Sequence, residues 1–528
     1  MRLGGEAGVG KLLKWGMAVA LCAGCSQSHT GQPPEQPGNP NIGTDGGTAV
    51  TPPPVNNGPG GSPDAGNPPD AGPPDAGPHF GIGPWPATNA TYGAAEGIQE
   101  SPVVGVSTDE TQNMWVATHS ALYVMRPGEK KFTRFDASAG LHLPGNDEAS
   151  CDDVTGSPIT PCIKPSSADS PGISEIVGGG SNEVFVGYYG HHDWNSPDDG
   201  TASDPYRHSG QLERVRLRAD GSLEVVRFDM VSGNSTFYWH NRTVERMIYD
   251  HFIHPHELYV GTDHGIDKIS ADLWTPLPPK HTYNDWVTHN RIWMSDHLHA
   301  QTCYHHPCGT GESDLRLGDW RGLAFASNGD LWMAGRWAAG EIIYTADNSV
   351  WFNRGGNSFA HAMGDPYTYC DGGRPVFCVP QEGDFVNLSA VTVTKDPKTG
   401  QDKVWFSSGI IYGDAADVNY GVAAFLAHPG AGDQVWTYFD PIRDIGMAEE
   451  NVRDMLALPD GRLVLAGPTT GLTIWDPVKN TRVSIRAGGG IPSDEVHRLE
   501  LDTMVDPPAL HVATAGGATV LRQLPATP

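Results

Sequence analysis

Seven short stretches of one pattern recur along this chain: MWVAT (114–118), VFVGY (184–188), LYVGT (258–262), LWMAG (331–335), VWFSS (404–408), LVLAG (463–467) and LHVAT (510–514). Each follows an apolar run and a tight turn rich in Gly, Asp or Asn, and each ends in small residues. Their second residues lie 70, 74, 73, 73, 59 and 47 positions apart. Recurrence at such spacing marks a repeat architecture, in which a unit too small to bury its own apolar face stacks on its neighbours. The shortest interval sets the basic unit, and the excess elsewhere is inserted loop. Third strands follow, such as ALYVM (121–125), GIDKI (265–269) and GLTIW (471–475), and fourth strands often carry an aromatic, as in FTRF (132–135) and VWTYF (435–439).

Four strands per unit in seven units resemble an all-β, seven-bladed β-propeller built of four-stranded blades. More narrowly, GGGIPSDEV (488–496) before LHVAT and AEENV (448–452) before LVLAG resemble the two-component-regulator propeller repeat, which joins a G-L-P-S-N-x-V turn to an L-W-I-G-T strand. The resemblance covers nearly all of residues 80–522 and implies a fold rather than a ligand. The last unit lacks an aromatic fourth strand, while a strand-and-turn run without a blade of its own precedes the first. Residues 80–92 are therefore expected to supply the outer strand of the last blade, which closes the ring and removes an open edge.

The propeller body is assigned to residues 80–528, because what precedes it cannot make a core. Residues 25–79 contain TPPPVNNGPGG and the triplicated PDAGNPPDAGPPDAG. Apolar side chains are nearly absent there, and proline blocks helix and ladder alike, so a disordered Pro/Gly/Asp-rich tether is expected. At ~3.1 Å per residue in an extended proline-rich form, 26–79 would reach at most roughly 170 Å. Such PDAG linkers resemble those of myxobacterial surface lipoproteins. Residues 1–24 read as a signal peptide: Arg2, Lys11 and Lys14 stand ahead of the short apolar run WGMAVALCAG. The run ends in Cys22-Ala23-Gly24-Cys25, which resembles a bacterial lipobox with Cys25 as the lipidated residue, although Cys22 stands where that motif usually has Leu. Ser26, a non-acidic residue after the cysteine, favours the outer membrane. The implied location is the cell envelope, with a lipid anchor as the contact with the membrane.

Composition narrows the partners. With 62 acidic and 34 basic residues the formal charge is −28, a field that repels phosphate backbones, so nucleic acid is excluded as a partner. Six cysteines fall in the body as near neighbours, and an even count in an exported chain reads as disulfides. The expected pairs are Cys151–Cys162, Cys303–Cys308 and Cys370–Cys378, a connectivity that sequence alone leaves open. Zinc at Cys303, His305, His306 and Cys308 is the alternative, but six consecutive residues wrap a tetrahedral ion poorly.

All three cysteine pairs fall between the outer strand of one unit and the inner strand of the next. In a propeller those connections share a face with the loops between second and third strands, one of which is also long (188–211). The opposite turns, DPKTG (396–400) and PDG (459–461), stay short. Binding is expected on the looped face, since elaborated loops on a rigid scaffold commonly carry it. Tyr188, Tyr189, Trp194, His264 and Trp337 are the expected anchors.

Ten of the 22 histidines lie between His251 and His306. The blade pattern splits them between the two faces, and the better metal constellation joins His191, His192 and Asp193 with Asp263, His264, His297 and His299. Imidazoles with carboxylates suit a divalent transition ion. Acidic residues before the inner strands (Asp319, Asp384, Glu450, Asp494 and Glu495) read first as turn chemistry and second as a cation-attracting rim. There is no G-x-S-x-G, no H-E-x-x-H and no P-loop. The sequence therefore favours a binding module for a protein, peptide or glycan ligand, with no cofactor and no catalytic residue named. The alternatives are a metal-dependent lyase or hydrolase, since some propellers of similar repeat style are such lyases, and a purely structural envelope component.

Overall fold

In the computed structural model the described residues are 80–143, 172–189, 211–229, 243–252, 256–262, 266–270, 301–302, 314–315, 320–335, 339–344, 350–352, 388–408, 421–427 and 437–528. Among the described residues the strands form six four-stranded antiparallel sheets, one three-stranded sheet and a two-stranded ribbon, Gln301–Thr302 with Asp314–Leu315. The first strands of the seven larger sheets are Val103–Thr108, Ile173–Gly178, Val244–Asp250, Trp320–Phe325, Leu388–Lys395, Asp454–Ala457 and Val496–Asp502. Each packs on the first strand of the sheet that follows, and the seventh packs back on the first. The body is thus a β-propeller whose inner strands surround a central channel.

The alternation of side chains explains why the second strands read as continuous apolar runs. In Met114–Thr118, Trp115 and Ala117 face the second sheet, where they meet Ile176, Val184, Val186 and Tyr188. Met114 and Val116 face the other way, towards Tyr92, Ala513 and Val520 of the seventh sheet. A strand covered on both faces has no solvent side to mark with polar residues. The same arrangement recurs where Trp332 meets Phe406 and Phe425, and where Trp405 meets Trp475 with ring centroids 5.6 Å apart.

The ring closes as the sequence implies. Ala90–Tyr92 pairs antiparallel with Gly517–Leu521 as the fourth strand of the seventh sheet. The strand itself is only three residues long. Residues 80–89 are irregular but pinned: Phe80 N–H donates to the Met504 carbonyl (2.9 Å), Trp85 Nε1 to the Gln112 carbonyl (3.0 Å), and Arg522 N–H to Asn89 Oδ1 (2.9 Å).

Six of the seven inner strands share an irregularity absent from the sequence reading. Register shifts fall at Val103/Gly105, Ile173/Glu175, Val244/Arg246, Trp320/Gly322, Leu388/Ala390 and Val496/Arg498, each with one extra residue in the inner strand. A bulge of this kind re-aims the side chains beside it. At two bulges the extra residue is a serine that ties neighbouring sheets together: Ser174 Oγ donates to the Val244 carbonyl at 2.7 Å, and Ser389 Oγ donates to the Val452 carbonyl.

Candidate functional site: the central channel

At the start of several inner strands the sequence places a polar pair: Ser174-Glu175, Glu245-Arg246, Arg453-Asp454 and His497-Arg498. Glu175, Arg246, Asp454 and Arg498 meet across the ring, and all but Asp454 stand beside a bulge. Arg246 of the third sheet pairs with Asp454 of the sixth at 3.0 Å and donates to the Leu499 carbonyl of the seventh at 3.3 Å. Arg498 of the seventh sheet pairs with Glu175 of the second at 2.5 Å and donates to the Glu245 carbonyl of the third at 2.9 Å. Asp454 also accepts from Leu499 N–H at 2.8 Å. The two ion pairs join residues 208 and 323 positions apart, and they cross-brace the channel.

The electrostatics follow from burial. Desolvation pushes the Glu175 carboxyl up to about 6, against the pull of Arg498 and Arg246. Burial opposes the Arg498 charge, but Glu175 and Asp454 outweigh it and hold the guanidinium above its ordinary value. Both partners are therefore ionised at neutral pH. Glu500 is different. Burial drives it up to about 8, opposed by a hydrogen bond from Ser107 and reinforced by Glu175 and Asp502. Ser107 Oγ donates to Glu500 Oε1 at 2.5 Å and accepts from Gly178 N–H at 2.6 Å, so this contact joins the first, second and seventh sheets.

Below the cross-brace, towards the short turns, lies a cavity of about 340 Å³. Its wall carries the carboxylates Glu175, Asp250, Glu500 and Asp502 and a single guanidinium, Arg246. Most of the rest is apolar, with Val177, Met247, Leu456 and Met504 inside and Tyr249, Phe252 and Phe325 adding aromatic surface. Asp502 is fully engaged: it accepts from Thr108 Oγ1 (2.8 Å), Gln112 Nε2 (3.1 Å) and Met504 N–H (2.9 Å).

Above the cross-brace, at the looped end, His119, Tyr189, Arg453 and His497 gather. His119 Nδ1 lies 3.0 Å from the Ile173 carbonyl, and its ring is 5.6 Å from that of Tyr189. Arg453 donates to the Val496 carbonyl at 3.2 Å. Burial, helped by Arg453, lowers His497 to about 4, and burial pushes the Tyr189 phenol up to about 12. A neutral imidazole beside a guanidinium is a poor cation site.

Of the residues singled out by sequence, Tyr188 and Tyr189 are described. Tyr188 is a core residue with no exposed surface, and its hydroxyl donates to Glu213 Oε2 at 2.5 Å, so it is unavailable as an exposed anchor. It is the last residue of its strand, and alternation turns it inward against the first sheet. Tyr189, half-buried, does stand at the looped mouth. Trp194, His264, Trp337, His191, His192, Asp193, Asp263, His297, His299, the six body cysteines and Cys25 lie outside the described residues, as do residues 1–79. Among the described residues no group of three or more His, Cys, Asp or Glu side chains is placed to hold a metal. Asp494 does turn chemistry: it pairs with Arg486 at 2.8 Å and accepts from Ala487 N–H at 2.7 Å.

No protein-family model matches the chain, and no curated protein does. Among solved structures it is similar to an extracellular domain described as that of a hybrid two-component system of B. thetaiotaomicron (12% identity, TM-score 0.40, 82% of this chain and 42% of that one). It is also similar to virginiamycin B lyase of Staphylococcus aureus (11% identity, TM-score 0.39, 82% and 97%) and to the WD40 domain of Pan2 from Neurospora crassa (8% identity, TM-score 0.39, 82% and 94%). The chain spans less than half of the first of these. The propeller stands on the sheet order and ring packing given above.

Proposed function

We propose that the chain is an envelope lipoprotein, anchored through Cys25, that displays a seven-bladed propeller on a long tether as a binding module for a protein or glycan ligand. The observation that carries this reading is the place where the chain enters the fold. Residues 80–89, pinned to the ring, lead from the segment read as a tether into the closing strand Ala90–Tyr92, and the ring it closes is cross-braced by buried ion pairs. A body hung by its seam and stiffened from within suits presentation of a fixed surface rather than a moving one. The proposed contacts are Tyr189, Trp194, His264 and Trp337 on the looped face, with the three cysteine pairs as staples of that face.

The test uses the full-length protein in cells. Metabolic labelling with an alkyne palmitate should mark the wild type and not Cys25→Ser, and the variant should move from the membrane to the soluble fraction. Trp194→Ala and Trp337→Ala should keep the wild-type melting temperature while losing a cross-linked surface partner. Unlabelled wild type rejects the anchor. Unfolding of both tryptophan variants, or partners unchanged in both, rejects the placement of the site.

A further inference from the structure

The cavity below the cross-brace lies at the end of the channel opposite the looped face, so what it binds is independent of the reading above. Its charges are unbalanced. Arg246, the one guanidinium in its wall, already holds Asp454 and the Leu499 carbonyl. Arg498, just above, already holds Glu175 and the Glu245 carbonyl. Glu500 is half-buried and lines the cavity. Its carboxylate accepts one hydrogen bond, from Ser107, and among the described residues no ion pair reaches it. A carboxylate drawn partly out of water with one neutral partner lacks a counter-charge. The wall around it is largely apolar and includes two aromatic rings, Tyr249 and Phe252, of a kind that accepts a cation over its face.

We propose that this cavity binds a small organic ammonium ion on an apolar stem, with Glu500 as its counter-charge. An anion would meet carboxylates. A hard divalent ion would want six or more oxygen ligands, and this wall offers mostly carbon. An ammonium on a short hydrocarbon or aryl stem satisfies both halves of the cavity, and about 340 Å³ suits a ligand of that size. The exposed Thr503 at the rim marks the way in from solvent.

Benzylammonium chloride is the probe, titrated calorimetrically into the full-length protein above pH 8, with benzyl alcohol and potassium chloride as controls. The expected result is saturable one-to-one binding of the amine and none of the alcohol. Glu500→Gln, an isosteric change that keeps an acceptor for Ser107, should weaken binding by about tenfold or more, equivalent to roughly 1.4 kcal/mol. A second reading needs no variant. At pH 7, binding should release a proton from Glu500, so the observed heat should change with the ionisation heat of the buffer. Equal binding of benzyl alcohol, no saturable binding, affinity unchanged in Glu500→Gln, a response to calcium alone, or no proton release at pH 7 each overturns the proposal. None of these outcomes bears on the lipid anchor or the looped face.

Discussion

At the scale of single residues, the cross-ring pairs are where energy is concentrated. Asp454 has 2% of its side chain exposed and Glu175 4%, so neither can turn to water if its arginine is removed. Stranding one buried charge typically costs about 3–5 kcal/mol, whereas replacing both partners by apolar side chains of similar size is often close to neutral. Arg246→Met should therefore lower stability by about 3–5 kcal/mol in chemical denaturation, and Arg246→Met with Asp454→Leu should recover most of that loss. A double variant as unstable as the single one would mean that the pair matters for its backbone contacts, the Leu499 carbonyl and amide, rather than for its charges.

At the scale of elements, the weakest seam is the three-residue closing strand. Tyr92 packs edge-on against Phe132 with ring centroids 5.8 Å apart, which adds side-chain packing to a short ladder. Gly517 makes that ladder possible. Its φ is +140°, and a Cβ there would run into the Tyr92 carbonyl oxygen. Gly461 provides the contrast, with φ at +86° and open space around the site. Gly461→Ala should cost only the left-handed backbone term, about 1–2 kcal/mol. Gly517→Ala should cost more and should also speed hydrogen exchange in residues 90–92, since the closing strand must move away. Equal losses and unchanged exchange in both variants would show that the seam does not depend on this glycine. Deleting residues 80–92 altogether should prevent stable folding, because it leaves the seventh sheet with an open edge.

At the scale of the whole molecule, titrating groups on different sheets set opposing slopes of stability with pH. Glu175 is raised from 4.5 to about 6 and Glu500 from 4.5 to about 8, so their contributions are full below 4.5 and lost as pH rises through those values. His497 and His511 are lowered from 6.5 to about 4, so theirs are full above 6.5 and lost as pH falls through 4. The two sets largely cancel between 4.5 and 6, and above 6.5 Glu500 is, among the described residues, the raised carboxyl still titrating. Its surroundings come from several sheets: Ser107, Glu175, Arg246, and Asp502 and His511 of its own. Denaturation midpoints should fall from pH 6.5 to 8 in the wild type and stay flat in Glu500→Gln. An identical fall in both would assign the slope to another group.

What the sequence determined is what the chain decides locally. Continuous apolar second strands, tight turns and the spacing of seven repeats are properties of neighbouring residues, and they were enough for an all-β ring and for its closure by the N-terminal run. Tyr188 shows the limit even there. Its place at the end of VFVGY looked like the start of an exposed loop, but two-residue alternation and a partner 25 positions on, Glu213, bury it. The channel was only half legible. The polar pairs in I-S-E-I-V, V-E-R-M-I and V-H-R-L-E are visible along the chain. Which arginine meets which carboxylate, and that a cavity opens on the side of the short turns, depend on bulges that re-aim side chains and on a ring that brings the third sheet against the sixth and seventh. Those contacts exist only once the last repeat has met the first, because no short stretch of chain holds both partners.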